Sequence, residues 1–194
     1  TATTAIYTLS LHAALPISAY YFPTAGRMHG VEILKGPAAI KQGPYTIGGA
    51  MNMISTPIPS ASRGSLKAEA GEDKTYRIHG TYGSTFDSGF GFLLETHQWQ
   101  SDGYQDIDRS SGDTGLDVED YTIKLAYSTD RHSIELKLQY AEQDSEQSYL
   151  GLTDNNFGAD AHRRYGLSAL DNIHTEHDQR SEEHTSELQS HLNL

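Results

Sequence analysis

From Ser65 onward, apolar and polar residues alternate with a period of two, the pattern of strands that present two different faces. Around Ser65–Ala70, Leu66, Ala68 and Ala70 share one face, and Ser65, Lys67 and Glu69 share the other. In the next window Tyr76, Ile78 and Tyr82 oppose Arg77, His79 and Thr81. Over Phe90–Gln100 the residues Phe90, Phe92 and Leu94 lie on one side, with Leu93, Glu95, His97 and Trp99 on the other. Two further windows are cleaner still. Tyr121, Ile123, Leu125 and Tyr127 alternate with Thr122, Lys124, Ala126 and Ser128, and Ile134, Leu136, Leu138 and Tyr140 alternate with Glu135, Lys137, Gln139 and Ala141. An amphipathic helix would group its apolar residues three and four apart, which these windows do not.

The connections carry a second pattern. Short polar turns at Phe86–Gly89 and Ser128–Arg131 alternate with long polar segments at 101–120 and 144–178, and only the short connection near Gly71–Lys74 interrupts the sequence of short and long. Up-and-down barrels of the outer membrane have short turns at one end and long loops at the other, whereas loops of a soluble β-sandwich tend to similar, modest lengths. The pattern favours the barrel and leaves the sandwich as the alternative. Before Gly64 the character changes. Val31–Pro37 reads as a short strand ended by a Gly-Pro turn, Gly43-Pro44 and Gly48-Gly49 as further turn or bulge points, and Ala50–Ser55 as a second apolar strand. Pro57-Ile58-Pro59 then forms a stiff connector, so a small globular unit joins the strands through a hinge near 56–63.

Composition narrows the choice of partner. A formal charge of −12 and a pI near 5.1 argue against nucleic acid or an anionic membrane surface. The absence of cysteine excludes a disulfide scaffold and thiolate metal sites. No stretch approaches the roughly 18 apolar residues of a membrane-spanning helix. A mean hydropathy of −0.57 is nonetheless compatible with a membrane, because a transmembrane β-strand is apolar on one face only. Twelve tyrosines and eighteen glycines suit interfacial strands and tight turns.

Both ends of the chain look foreign to the rest. RSEEHTSELQS (Arg180–Ser190) resembles the translation of a common sequencing-library adapter, and TLSLHAALPIS (Thr8–Ser18) resembles that of its partner adapter apart from one residue near Ala13. Residues 1–18 and 180–194 are therefore set apart as adapter-like, with an amphipathic helix at each end as the competing reading. On this reading the native sequence runs from about Ala19 to Gln179, and its signal peptide lies outside the chain.

At residues 27–59, the ordered motifs VEILKGP (Val31–Pro37), QGP (Gln42–Pro44), IGGAMN (Ile47–Asn52) and STPIP (Ser55–Pro59) resemble the C-terminal end of the plug of TonB-dependent receptors, most closely the ferric-citrate receptor subgroup. The likeness continues more weakly through the strands and YLGLTD (Tyr149–Asp154), covering most of 19–179. It implies a mainly β chain: the end of an α+β plug domain at 19–60, then the first five or six antiparallel strands of an incomplete transmembrane β-barrel at 64–179. It also implies TonB-dependent active import of a ferric chelate, citrate or another siderophore, across the outer membrane of a Gram-negative bacterium. Energy would come from the TonB–ExbB–ExbD complex through an N-terminal segment absent from this sequence. Outer-membrane lipid would be a partner, nucleic acid would not, and no resident cofactor is expected. Alternatives are the same machine with a non-iron cargo, such as cobalamin or an oligosaccharide, a receptor that also signals through an N-terminal extension, and a soluble β-rich binding module.

Five residues are candidates for ligand contact. Tyr20, Tyr21 and Phe22 precede the plug-like motif and, by the resemblance, lie near its apex, where their rings could stack on a chelate; the competing role is packing against a barrel wall. Arg163 and Arg164 could hold carboxylates of an anionic chelate in two-point contact, or pair with the Asp and Glu of their own segment. His174 and His177, with His162 nearby, have metal-like spacing but fall short of the four ligands of a structural zinc site, so solvated loop histidines are the simpler reading. Glu32 and Lys35 suit salt bridges or a plug–barrel interface better than substrate contact. The acidic loop 101–120 lacks the spacing of an EF-hand, and no nucleophile–base pair, P-loop or zinc-hydrolase motif is present, so catalysis is not expected.

Overall fold

A computed structural model describes residues 4–7, 24–36, 49–146, 148, 150–171 and 174–188. The chain is mainly β with antiparallel sheets. A three-stranded sheet in the order β1-β3-β2 is formed by β1 (Thr4–Tyr7), β2 (Gly30–Lys35) and β3 (Gly49–Ile54), with a single 3-10 turn at Ala25–Arg27 leading into β2. The expected strands at Val31 and Ala50 are these last two. Gly49 has φ +140° and a Cβ there would lie 2.4 Å from the Leu34 carbonyl oxygen, so the close pairing of β2 and β3 requires glycine.

The larger sheet has six strands in the order β11-β9-β8-β6-β5-β4. They are β4 (Arg63–Ala70), β5 (Tyr76–Thr85), β6 (Phe90–Ser101), β8 (Leu116–Ser128), β9 (His132–Ser145) and β11 (Thr175–Leu188). Each strand pairs with its neighbour in this up-and-down order, so the five windows of alternation all become strands in one meander. The turns 86–89 and 129–131 lie at one end of the sheet, and the loops 71–75, 102–115 and 146–174 lie at the other. The short 71–75 connection is no exception to the order of ends. It docks on the next loop, with Asp102 N–H donating to the Asp73 carbonyl at 2.9 Å and Lys74 Nζ 2.6 Å from Asp102 Oδ2.

The two long loops are tied to one another. Within them, β7 (Asp106–Ile107) and β10 (Arg163–Arg164) form a short parallel pair, and α1 (Asp154–Ala159) and α2 (Leu167–Asp171) are brief helices. At the opposite end, Gly89 (φ +83°) closes the β5–β6 turn, and a Cβ there would lie 2.0 Å from the Ser128 carbonyl oxygen.

The two faces of the large sheet are chemically inverted relative to a soluble domain. Buried positions include Glu95, His97, Asp120, Thr122, Lys124, Lys137 and Gln139, whereas Leu66, Tyr82, Phe90, Leu94, Tyr121, Ile123, Leu125, Tyr127, Ile134 and Leu138 are exposed. Alternation puts the first set on the face toward the small unit and the second on the face away from it. The outer face is also zoned. Phe86 stacks on Phe90 and Phe92, and Tyr82 lies against Phe92, near the short turns. Toward the loops, Tyr76, Tyr121 and Tyr140 donate their hydroxyls to Gln100, Glu119 and Glu142 respectively. From Tyr127 to Tyr121 a strand rises roughly 20 Å, so two aromatic rows flank an aliphatic zone of Leu94, Ile123, Leu125, Leu136 and Leu138.

Residues 180–188, adapter-like in sequence, continue β11, and Thr4–Tyr7 pairs with β3. Backbone pairing of this kind is open to any extended segment beside a free strand edge, whatever its side chains. The side chains of β11 break the rule that its neighbours keep. Opposite the outward Asp144, Glu142, Tyr140 and Leu138 stand Glu176, Asp178, Arg180 and Glu182, so the apolar zone ends at β9.

Candidate functional site: the polar seam between the small unit and the sheet

Two sites merit description: the seam where the small unit meets the polar face, and the loop cluster at the far end. The seam is built on Arg27, which ends the 3-10 turn and is only 1% exposed. Its Nε donates to Asp120 Oδ2 at 2.6 Å and its Nη1 lies 3.9 Å from Glu95 Oε2. Both carboxylates have been taken out of water, and each is steadied by further donors. Gln139 Nε2 donates to Asp120 Oδ2 at 3.4 Å, Thr56 Oγ1 donates to Glu95 Oε1 at 2.7 Å, and His79 Nε2 lies 2.9 Å from that same oxygen. A second cation, Lys124, donates to Ser55 Oγ at 2.7 Å and lies 3.7 Å from Glu135.

The packing is close, although Arg27 Nη1, Glu95 Oε2, Asp120 Oδ1 and both ring nitrogens of His97 are buried without a hydrogen-bond partner among the described residues. A Cβ on Gly26 would lie 2.3 Å from His97 Nε2, so the turn can rest on the buried imidazole only as glycine. The connector 55–62 runs over two inward glycines, because a Cβ at Gly83 would meet Pro59 at 2.7 Å and one at Gly91 would meet Ile58 at 3.1 Å. Ser62 and Ser84 hydroxyls at 3.0 Å, and Thr85 Oγ1 donating to the Pro59 carbonyl at 2.8 Å, fasten this track. Replacing Gly26 by alanine is expected to destabilise docking by about 1–3 kcal/mol through overpacking, read as a lower urea midpoint for exposure of the connector to protease.

The loop cluster holds both candidate arginines, and they serve the loops. Arg163 makes a two-point pair with Asp108, Nε to Oδ1 at 3.0 Å and Nη2 to Oδ2 at 2.8 Å, while its guanidinium lies 5.3 Å from the Tyr165 ring centroid. Arg164 is buried, donating to Ser168 Oγ at 3.0 Å and to the Glu146 carbonyl at 2.6 Å. The partner of Arg163 is thus an acid of the other long loop and not of its own segment, and Arg164 meets a hydroxyl and a backbone carbonyl. The Arg163 hydrogen bond holds the Asp108 carboxyl below its ordinary range, and the carboxylate in turn raises Arg163. Since the folded value lies below the unfolded one, this contribution is present above the ordinary aspartate range near 3.9 and is lost as pH falls through the folded value. Exchange protection of the Asp106 and Asp108 amides, which donate to His162 and Arg164 carbonyls, should therefore hold from neutral pH to about 5 and fall below about 4. Asp108→Asn should remove that pH dependence.

Other sequence candidates fall elsewhere. Tyr20, Tyr21 and Phe22 lie outside the described residues. Glu32 accepts from Asn52 Nδ2 at 3.0 Å, within the small sheet. His162 Nδ1 lies 3.1 Å from the Tyr104 carbonyl, and among the described residues the one group of three close metal-type ligands is Glu142, Glu176 and Asp178, with no histidine in it. Arg27, Glu95, His97 and Asp120 were not among the sequence candidates. The signal that could have found them was charge at inward positions of adjacent strands, since His97 sits opposite Asp120 in the register.

No protein-family model matches the chain, and no solved structure matches it at a significant level. Among the described residues no helix is long and apolar enough to cross a membrane, a criterion that does not address strands.

Proposed function

We propose that the chain is part of a TonB-dependent outer-membrane receptor that imports a ferric chelate, the small unit being the end of its plug and the large sheet the first strands of its barrel. The observation that carries this reading is the inversion of the sheet, with ionised residues buried toward the small unit and an aliphatic zone between aromatic rows turned outward. A transmembrane barrel needs this distribution, because lipid lies outside and polar contents inside. A soluble module would bury Ile123, Leu125 and Leu138 and expose Asp120, Thr122 and Lys124. Three further observations support the reading: the motifs at 27–59, short turns at one sheet end with long loops at the other, and ion pairs that dock the small unit on the polar face. Val31 and Ile33, 50% and 61% exposed on β2, suit a unit that belongs to a larger domain.

Import of this kind is active transport with no bond made or broken. The chain's part would be to present a polar interior through which the plug contacts the wall, and an outer zone matched to lipid.

The complete gene product should fractionate with outer membranes and support uptake of radiolabelled ferric chelate only while the membrane is energised. Recovery in the soluble fraction would remove the transporter reading altogether. Uptake of cobalamin or an oligosaccharide in place of iron would keep the machine and change its cargo. The 194-residue chain alone, with open edges at β4 and β11, is expected to aggregate in water and show no cooperative unfolding.

A further inference from the structure

A pocket of about 480 Å³ opens between the 3-10 turn, the connector and strands β4–β6, a volume within the ordinary range for small-molecule sites. Its charge runs against that of the chain. In a protein with 26 acidic and 14 basic residues, the lining contains Arg27, His29, Arg63, Lys67 and His79 and no carboxylate. The nearest acid, Glu95, is fully covered, its Oε1 engaged by Thr56 and His79. Glu69, the next inward residue of β4 after Lys67, is taken by Arg77 at 3.2 Å. Arg63 and Lys67 make no ion pair among the described residues and lie exposed along the pocket's open side, two positions on either side of Ser65 on one strand face.

We propose that this pocket is a binding site for a small polyanion, a molecule carrying two or more carboxylate or phosphate groups. Arg63 and Lys67 take its oxyanions at the rim and the exposed His29 offers an imidazole beside them, while Arg27 is matched by Asp120 and Glu95 and His79 Nε2 by Glu95. Two cations on one strand face of a concave space, with the nearest acids, Glu95 and Glu69, engaged by other groups, concentrate an anion that the net charge of −12 would otherwise repel. The site lies at the seam, away from the loop cluster of Asp108 and Arg163. The inference stands on the pocket's lining and holds whether or not the sheet belongs to a receptor.

The test is calorimetric titration of the purified, folded gene product with iron-free citrate and, separately, pyrophosphate at low ionic strength. Binding of at least one is expected, weakening as salt rises. The double variant R63Q/K67Q should bind at least about ten-fold more weakly, since it removes two charge-assisted contacts. The charge-preserving R63K/K67R should recover most of the affinity, and Lys74→Gln, at a loop far from the pocket, should change nothing. Citrate binding alone would identify a carboxylate site and pyrophosphate binding alone a phosphate site. Absence of binding by the folded wild type, or binding that R63Q/K67Q leaves unchanged, would overturn the proposal. Failure of membrane fractionation would leave this result untouched, so the two readings fail separately.

Discussion

Replacing Asp120 by alanine is expected to cost about 3–5 kcal/mol, because it leaves the buried Arg27 guanidinium without its shortest partner. The asymmetry of buried ion pairs makes this larger than the pair's own worth. Two charges removed together return the desolvation cost of both, whereas one removed alone leaves the other uncompensated. Because Glu95 also faces Arg27, a triple replacement, Arg27→Met with Asp120→Leu and Glu95→Gln, should therefore recover most of the loss. The readout is docking of the small unit, followed as protease cleavage in the connector 55–62 against urea. Glu95 is 3.9 Å from the same guanidinium and limits the damage, so Glu95→Gln alone should be milder and additive with Asp120→Ala only in part. If Asp120→Ala shifts the midpoint no more than an exposed substitution does, the seam is not held by this pair.

The second large effect separates membrane from water. Ile123 lies in the middle of the outer aliphatic zone and is 43% exposed. In a barrel, Ile123→Lys places an ammonium near the bilayer midplane and should cost about 2–4 kcal/mol in refolding into lipid vesicles. Tyr127→Lys, in the aromatic row near the turns, should cost only about 0–1 kcal/mol. In a soluble protein both are surface changes, each expected within about 0.5 kcal/mol of neutral. The ratio of the two effects, rather than either alone, reports the depth profile of lipid. Equal and small effects would return the sheet to an aqueous setting.

Much of the architecture was legible in residue order. Alternation at Tyr121–Ser128 and Ser133–Ala141 specifies strands because period two admits no other regular structure, and the turn at Phe86–Gly89 is dictated by a glycine that alone tolerates its backbone. Which face would be buried was not legible from period alone, since inverted and ordinary sheets share it. The seam was hidden for a related reason. Arg27 and Asp120 are 93 positions apart, and nothing in the neighbourhood of either announces the other. The contacts of Arg163 and Arg164, adjacent arginines in an acidic segment, were equally hidden. Their partners, Asp108 and the Glu146 carbonyl, become visible only once β7 and β10 align.

The long span between Arg27 and Asp120 also sets an order of assembly. Each strand of the meander pairs with the one made just before it, so hairpins can close as they emerge, with little loop entropy to overcome. The small unit, made first, has no such local reward for docking. Its anchoring carboxylates arrive on the third and fourth strands of the meander, at Glu95 in β6 and Asp120 in β8. Until those strands are in place the unit must wait undocked, and its capture then reports that the sheet beside it has been built to the right register.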